Sequence, residues 1–512
     1  MGWYQRLKMR RPPRRHLRDK APSKKRRRPY HLLPHHRKNL SSPTAPNMKL
    51  HLPKQLFTAL LAAITLATPA TLTLGSTAWG GWSGDSFTLE SATTDSISTE
   101  GQTPGDLGFF IRTGENPDMA GATVTLLQLQ AGDNLYIDGS WQNEPVEFTG
   151  LTIETLEVKD AGSATLNVYA NNTANINALT GTLSSLIVAQ NATLTLDFAS
   201  RGEDGSITER GSYTFGNTSG DGTVVIAGGT TGIINTGGAS STVKTNLKVL
   251  GGGELKLTTG DATGWDGASN ATKSIVLQGS DADNQALLTL GASQTMVTSI
   301  TLSGYGKIAG SGLDVKSYGA TISASGSGNS IETNLSISKA LEIRVEEGGE
   351  LTVSGDIRKD NEDTDEGSIT KAGSGKLVLS GNATFYNPFY QNAGTTELTG
   401  SQIKFEKGVE IDAGSTLTVG SASSALVVGG AFENSGILNI NAGSISVESL
   451  DGFEYAPGAE NGFWTTETYV LVAGNAASSI VPTQLTKGDA TYTINAAQGT
   501  FSRDLSEAEQ TT

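Results

Sequence analysis

The sequence predicts an all-β chain, specifically a right-handed parallel β-helix (β-solenoid) built from imperfect short repeats. Three observations carry that prediction. From about Trp79 onward, short β-type runs alternate with clusters of Gly, Asn, Asp and Ser, and no long window places apolar residues at helical spacing between caps. One phrase also recurs: apolar-x-apolar, a short turn, then apolar-x-apolar. It occurs at Leu156–Val168, Leu186–Leu196, Leu247–Leu257, Ile343–Val353, Val409–Val419 and Leu438–Val447. Finally, a unit this small cannot bury its apolar face alone, and stacking copies on one another solves that problem. Hairpin arrays also use Gly-rich turns, but stacked coils pair every strand with its counterpart one rung away. With roughly 20 residues per coil, about 430 residues give about 20 coils and a rod on the order of 100 Å long.

Taken in order, the chain opens with two segments unlike the rest. Residues up to Lys54 hold 17 of the 37 basic residues and a single acid, leaving 20 bases against 50 acids, a net of −30, from Gln55 onward. All five histidines lie before residue 55. Residues 1–47 carry the run Lys24–Arg28 and read either as a basic extension or as sequence upstream of the true start. Residues 48–78 read as a secretory signal peptide. Met48-Lys49-Leu50 opens a basic region, Leu56–Leu66 is an apolar core too short for a comfortable membrane span, and small residues follow. Cleavage fits after Ala70 or after Ala78. The next segment, 79–150, is a less regular β region or N-terminal cap. Residues 151–450 are the repeats, and 451–512 are the end of the solenoid, with Ala490–Asn495 reading as a body still in progress.

The composition excludes several classes. The chain has no cysteine and the mature part no histidine, which removes the usual Ser-His-Asp, Cys-His and zinc chemistries. So acidic an exterior argues against nucleic acid or an anionic membrane as partner. Gly251-Gly252-Gly253 lacks the Lys-Ser/Thr and helix of a phosphate-cradling loop. Carboxylates remain, and paired carboxylates on one face of successive coils are the alternative reading, a polysaccharide-degrading enzyme. No residue stands out for catalysis.

Two clusters are candidate binding features. Asp360, Glu362, Asp363 and Asp365 place oxygen ligands close together with Gly367 behind them, as calcium loops do. The later bidentate Glu is missing, so a solvated loop that guards a strand edge is the plainer reading and Ca²⁺ the alternative; no other cofactor is implied. Trp265 and the group Phe385, Tyr386, Phe389 and Tyr390 are candidate stacking platforms for sugar rings, set against packing over a turn.

At residues 369–398 the sequence resembles a known repeat. Lys371, Gly373, Gly375, Leu377, Leu379, Ser380 and Gly381, followed by Asn392, Ala393 and Gly394, match the autotransporter-associated β-strand repeat of bacterial autotransporter passenger regions. Leu398 falls two residues later than that pattern places it, and Phe385–Tyr390 replaces its usual Gly-rich centre. The resemblance covers about 30 residues. It implies a solenoid displayed at the cell surface or secreted, with adhesion to host or microbial glycans or to surface proteins. It also implies a C-terminal outer-membrane barrel. The tail Phe501–Thr512 has none of the alternating segments a barrel needs, so membrane attachment is expected only through a translocator or anchor absent from this sequence.

Overall fold

The structure is a computed structural model that describes residues 80–89, 92–113, 121–138, 148–264, 272–296, 299–316, 319–358 and 367–420, and beyond these, up to 509, chiefly the strands. The basic extension, the signal-peptide segment, Trp265 and the candidate calcium residues Asp360, Glu362, Asp363 and Asp365 lie outside the described residues. Those described belong to one unit, Gly75–Thr512.

Strand after strand pairs in parallel with the equivalent strand of the next coil. The longest ladder, face 1, has 15 strands on its path, from Thr93–Ser98 to Ala431–Asn434. Partners in it are separated by as few as 20 residues (Phe389 to Val409) and as many as 30 (Leu194 to Val224). The coil is therefore longer on average than the sequence suggested, and there are fewer coils. Among the described residues the one helical element is the 3₁₀ turn Gly238–Ser240.

Face 1 faces different partners along the molecule. Up to residue 196 it alternates with face 2, the seven-stranded sheet that runs from Gly80–Ser83 to Asn217–Ser219. Face 3 begins at Gly211–Thr214 and face 4 at Gln294–Thr295. From Ser299 onward each coil runs face 1, face 3, face 4, as in Ser299–Ser303, Gly306–Gly310 and Leu313–Val315. A short antiparallel hairpin, Ser200–Arg201 with Ile207–Glu209, marks the changeover.

Period-2 alternation decides what each strand buries. On face 1 one inward column reads Val124, Ile153, Ile176, Leu196, Ile226, Val249, Leu277, Leu302, Ala324, Val345, each residue in register with the next. All ten are essentially inaccessible. Burying one such aliphatic side chain stabilises by about 1.5–3 kcal/mol, so repetition along the column is the main source of stability in a chain without disulfides.

The two ends have pairings of their own. Within 79–150 the parallel ladder is already running at Thr93–Ser98 and Thr123–Leu129, and the antiparallel pair Gly80–Ser83 and Ser86–Leu89 starts face 2. The described strands of 451–512 all join face 4 and leave the order of three faces per coil. Gln484–Lys487 adds parallel to Ser444–Val447, and then Ala490–Asn495, Thr500–Asp504 and Phe463–Val470 follow antiparallel. Tyr492 from this sheet reaches the common core and is fully buried.

Candidate binding surface

One column of face 2 residues points away from the core, with Ile187 exposed, Tyr136 half-buried, and Phe110 and Asn167 covered by their neighbours. Phe110, Tyr136, Asn167 and Ile187 stand in register on four neighbouring strands. Their chain neighbours Phe109, Ile111, Leu135, Ile137, Leu166 and Val168 point inward and are buried. The Phe110 and Tyr136 rings stack at 4.9 Å between centroids and 18° between planes, and Tyr169 tilts against Tyr136 at 5.6 Å. The Arg112 guanidinium lies over the Phe110 ring at 4.5 Å, a cation–π contact, with its Nε 3.9 Å from Asp138.

Polar side chains fix this strip. Asn134 Nδ2 donates to the Leu107 carbonyl at 2.7 Å and to the Tyr136 hydroxyl at 2.9 Å, and Asn167 Nδ2 donates to Asn134 Oδ1 at 2.6 Å. The surface is therefore preorganised: rings and amides sit on a rigid ladder. Among the described residues the exposed large apolar side chains are Leu107, Tyr169 and Ile187, at 60%, 40% and 36% exposure. All three belong to this strip or its margin. Scattered exposed apolar residues need no explanation, but a cluster on one face does. The sequence reading missed the strip; its signal was an aromatic at an outward position, Phe110 between the inward Phe109 and Ile111.

The aromatics singled out in the sequence go elsewhere. Phe385 and Phe389 are inward and buried, packed with Phe405 at 4.6 Å and 5.2 Å in the interior of the three-faced coils. They are core, and the sugar-platform reading fails for both. The alternation in Ala383-Thr384-Phe385 already put Phe385 on the side of the buried Ala383. Tyr386 and Tyr390 are half-buried on the outer side.

The repeat-like segment is organised by a buried lysine. Lys371 continues an inward column that reads Ile343, Lys371, Gln391, Ile411. Its ammonium donates to the carbonyls of Ala372, Gly373 and Ala393 at 3.0, 2.7 and 3.0 Å, so it ties its own corner to the next one. Burial pushes its pKa down to about 8, Arg344 adds to that and Glu346 opposes it. Gln391 repeats the arrangement one rung on, donating to Ala393 and Gly394 carbonyls and accepting from Thr396. Gly373 sits at φ +72°, and a Cβ there would lie 2.2 Å from the Val345 carbonyl oxygen. The Lys-x-Gly pattern is thus a corner device: a residue able to turn left-handed, and a cation that takes up the carbonyls the turn leaves inward.

For carboxylate chemistry, Glu350 and Glu397 come together on face 3 through Lys376, which lies 3.6 Å and 2.7 Å from them. Their hydrogen bonds and charge hold the Lys376 ammonium above its usual pKa, Glu397 foremost. Lys376 thus bridges the two carboxylates, whereas glycoside hydrolysis needs the space between such a pair for the scissile bond. Among the described residues no group of three or more acidic or other metal-binding side chains is placed to hold a metal ion.

No family model, no curated protein and no solved structure matches this chain. Architecture and surface chemistry are what bear on its function.

Proposed function

We propose that this chain is an exported bacterial protein, displayed at or released from the cell surface, that works by binding glycans of a host or of another microbe along the outer side of face 2. The observation that carries the reading is the clustering there of Leu107, Tyr169 and Ile187 with the Phe110–Tyr136 stack. Sugar rings offer C–H faces to aromatic side chains and hydroxyls to polar ones, and the strip offers the exposed Tyr169 ring and the half-buried Tyr136 and Asn134 from fixed positions. Each contact is weak, and many copies of a rod on one cell multiply them. The signal-peptide segment at 48–78 and the resemblance of 369–398 to autotransporter passenger repeats support export and display.

The test is binding of the full chain to a glycan array and to fixed cells. Tyr136→Ala with Tyr169→Ala is expected to weaken binding at least tenfold, while Tyr390→Ala leaves it intact. Unchanged binding in the double variant overturns the assignment of the strip. Release of new reducing ends from any bound polysaccharide would replace it with the enzyme reading. Display has its own check: brief protease treatment of intact cells is expected to release peptides from 79–512 and none from 1–47.

A further inference from the structure

Face 1 has an outer side of a different kind. Seven successive strands, from Thr173–Ile176 to Ala320–Ser325, carry Lys248 as their one charged residue. Charge is equally sparse on face 2, whose seven strands carry Arg112 alone, although the part of the chain beyond residue 54 has a net charge of −30. Their outward positions are mostly hydroxyls and amides in register. Thr173, Thr193 and Thr223 follow one another rung by rung, as do Asn175 and Thr195 beside them and Thr301 and Ser323 further along. The rungs repeat at about 4.8 Å, and the two columns stand roughly 7 Å apart. Charge closes the stretch at both ends: Glu154 and Glu157 lie outward on the preceding strand, Glu342 and Arg344 on the following one.

We infer that this stretch of face 1, polar and charged only at Lys248, is a contact surface for a second copy of the chain. Three features select that occupant. A copy has the same rung repeat, so hydroxyls and amides meet in register over the whole length, which no partner of different spacing sustains. Each hydroxyl or amide both donates and accepts, so the surface is complementary to itself, as a two-fold contact requires. Two copies of so acidic a chain meet here with few like charges facing one another. The seven strands present 18 outward residues per copy, below the roughly 20–30 of a standard stable interface. The association is therefore weak in solution and strengthened where copies are crowded on a surface.

Sedimentation velocity of the full chain over a concentration series tests this. The wild type is expected to pass from monomer to dimer as concentration rises, and added salt, by screening the acidic surfaces, shifts the transition to lower concentration. Thr195→Asp with Thr301→Asp is expected to weaken dimerisation at least tenfold, with an unchanged circular dichroism spectrum confirming the fold. Thr352→Asp, outward on face 3, is expected to leave it within twofold. A wild type that stays monomeric up to millimolar concentration overturns the inference. So does a double variant that dimerises normally, or a Thr352 variant that loses dimerisation equally. None of these outcomes bears on glycan binding by face 2.

Discussion

The two halves of this solenoid solve the same packing problem with different cross-sections. Up to Leu196, two sheets face each other and each coil turns twice. From Ser299, three sheets enclose the core and each coil turns three times. In the two-faced half the interior is mainly aliphatic, with Phe87, Phe109 and Phe148 among it, and its turns use left-handed Asp160, Ala161, Asn171 and Asn191 as well as Gly101 and Gly132, with Asn191 bonded to Asn171 across the rung. In the three-faced half the corresponding corners use Gly348, Gly373, Gly394 and Gly414, and the interior takes in Phe385, Phe389 and Phe405 together with buried Lys371 and Gln391. Rings and carbonyl-binding polar chains are buried in both halves, Phe148 and Asn172 in the first as Phe389 and Lys371 in the second. What sets the two-faced half apart is the outer side of face 2, where Phe110, Tyr136 and Tyr169 pack on one another, Phe110 covered and Tyr169 exposed.

Several substitutions sharpen or break this contrast. The largest expected effect is Phe389→Ala, which empties the ring cluster and should cost about 3–5 kcal/mol, read from the midpoint of denaturant unfolding. A cost below that of a single methylene would mean the rings are not core. Next are the corners. Gly373→Ala is expected to destabilise by at least about 1–2 kcal/mol from its left-handed φ alone, whereas Ala161→Gly, at φ +49°, should gain up to about 1 kcal/mol. Equal effects of one sign at both would erase the distinction between the two kinds of turn.

Lys371 gives a pH signature. Its folded pKa, about 8, lies below the ordinary 10.5, so between those values the unfolded chain binds more protons. Its contribution to stability therefore rises with pH from about 8 to 10.5 and is flat below that window. Unfolding of the wild type and Lys371→Met at pH 8 and pH 10 should show the wild type gaining on the variant at the higher pH. A constant gap would place Lys371 in a site that does not depress its pKa. The smallest effect belongs to Lys376→Ala: its bridges to Glu350 and Glu397 lie on the surface and should be worth less than about 1 kcal/mol, and less still at high salt.

The fold was largely legible in the sequence, because alternation and turn residues recur in each coil. The phrase Ile343–Val353 became a face 1 strand, a Gly turn and a face 3 strand, and Leu186–Leu196 joined face 2 to face 1 in the same way. The number of faces was not legible, since a strand has period 2 whichever sheet it faces. Nor was the coil count, because inserts such as the hairpin of Ser200–Arg201 with Ile207–Glu209 lengthen a coil without adding a strand to any face. Lys371 was recognised only as a letter of a repeat; that a lysine would replace an inward Ile depends on carbonyls from a neighbouring coil 22 residues away. The face 2 strip was hidden for a related reason. Phe110, Tyr136 and Tyr169 are far apart in sequence, and only the register brings their rings together.

The most direct test of face 2 as the binding surface is hydrogen–deuterium exchange of the full chain with and without the glycan it captures best. Slowed exchange is expected in 107–112, 134–138 and 167–169, with the three-faced coils unchanged. Protection confined to residues after Ser299, or no protection anywhere while the glycan remains bound, would contradict it.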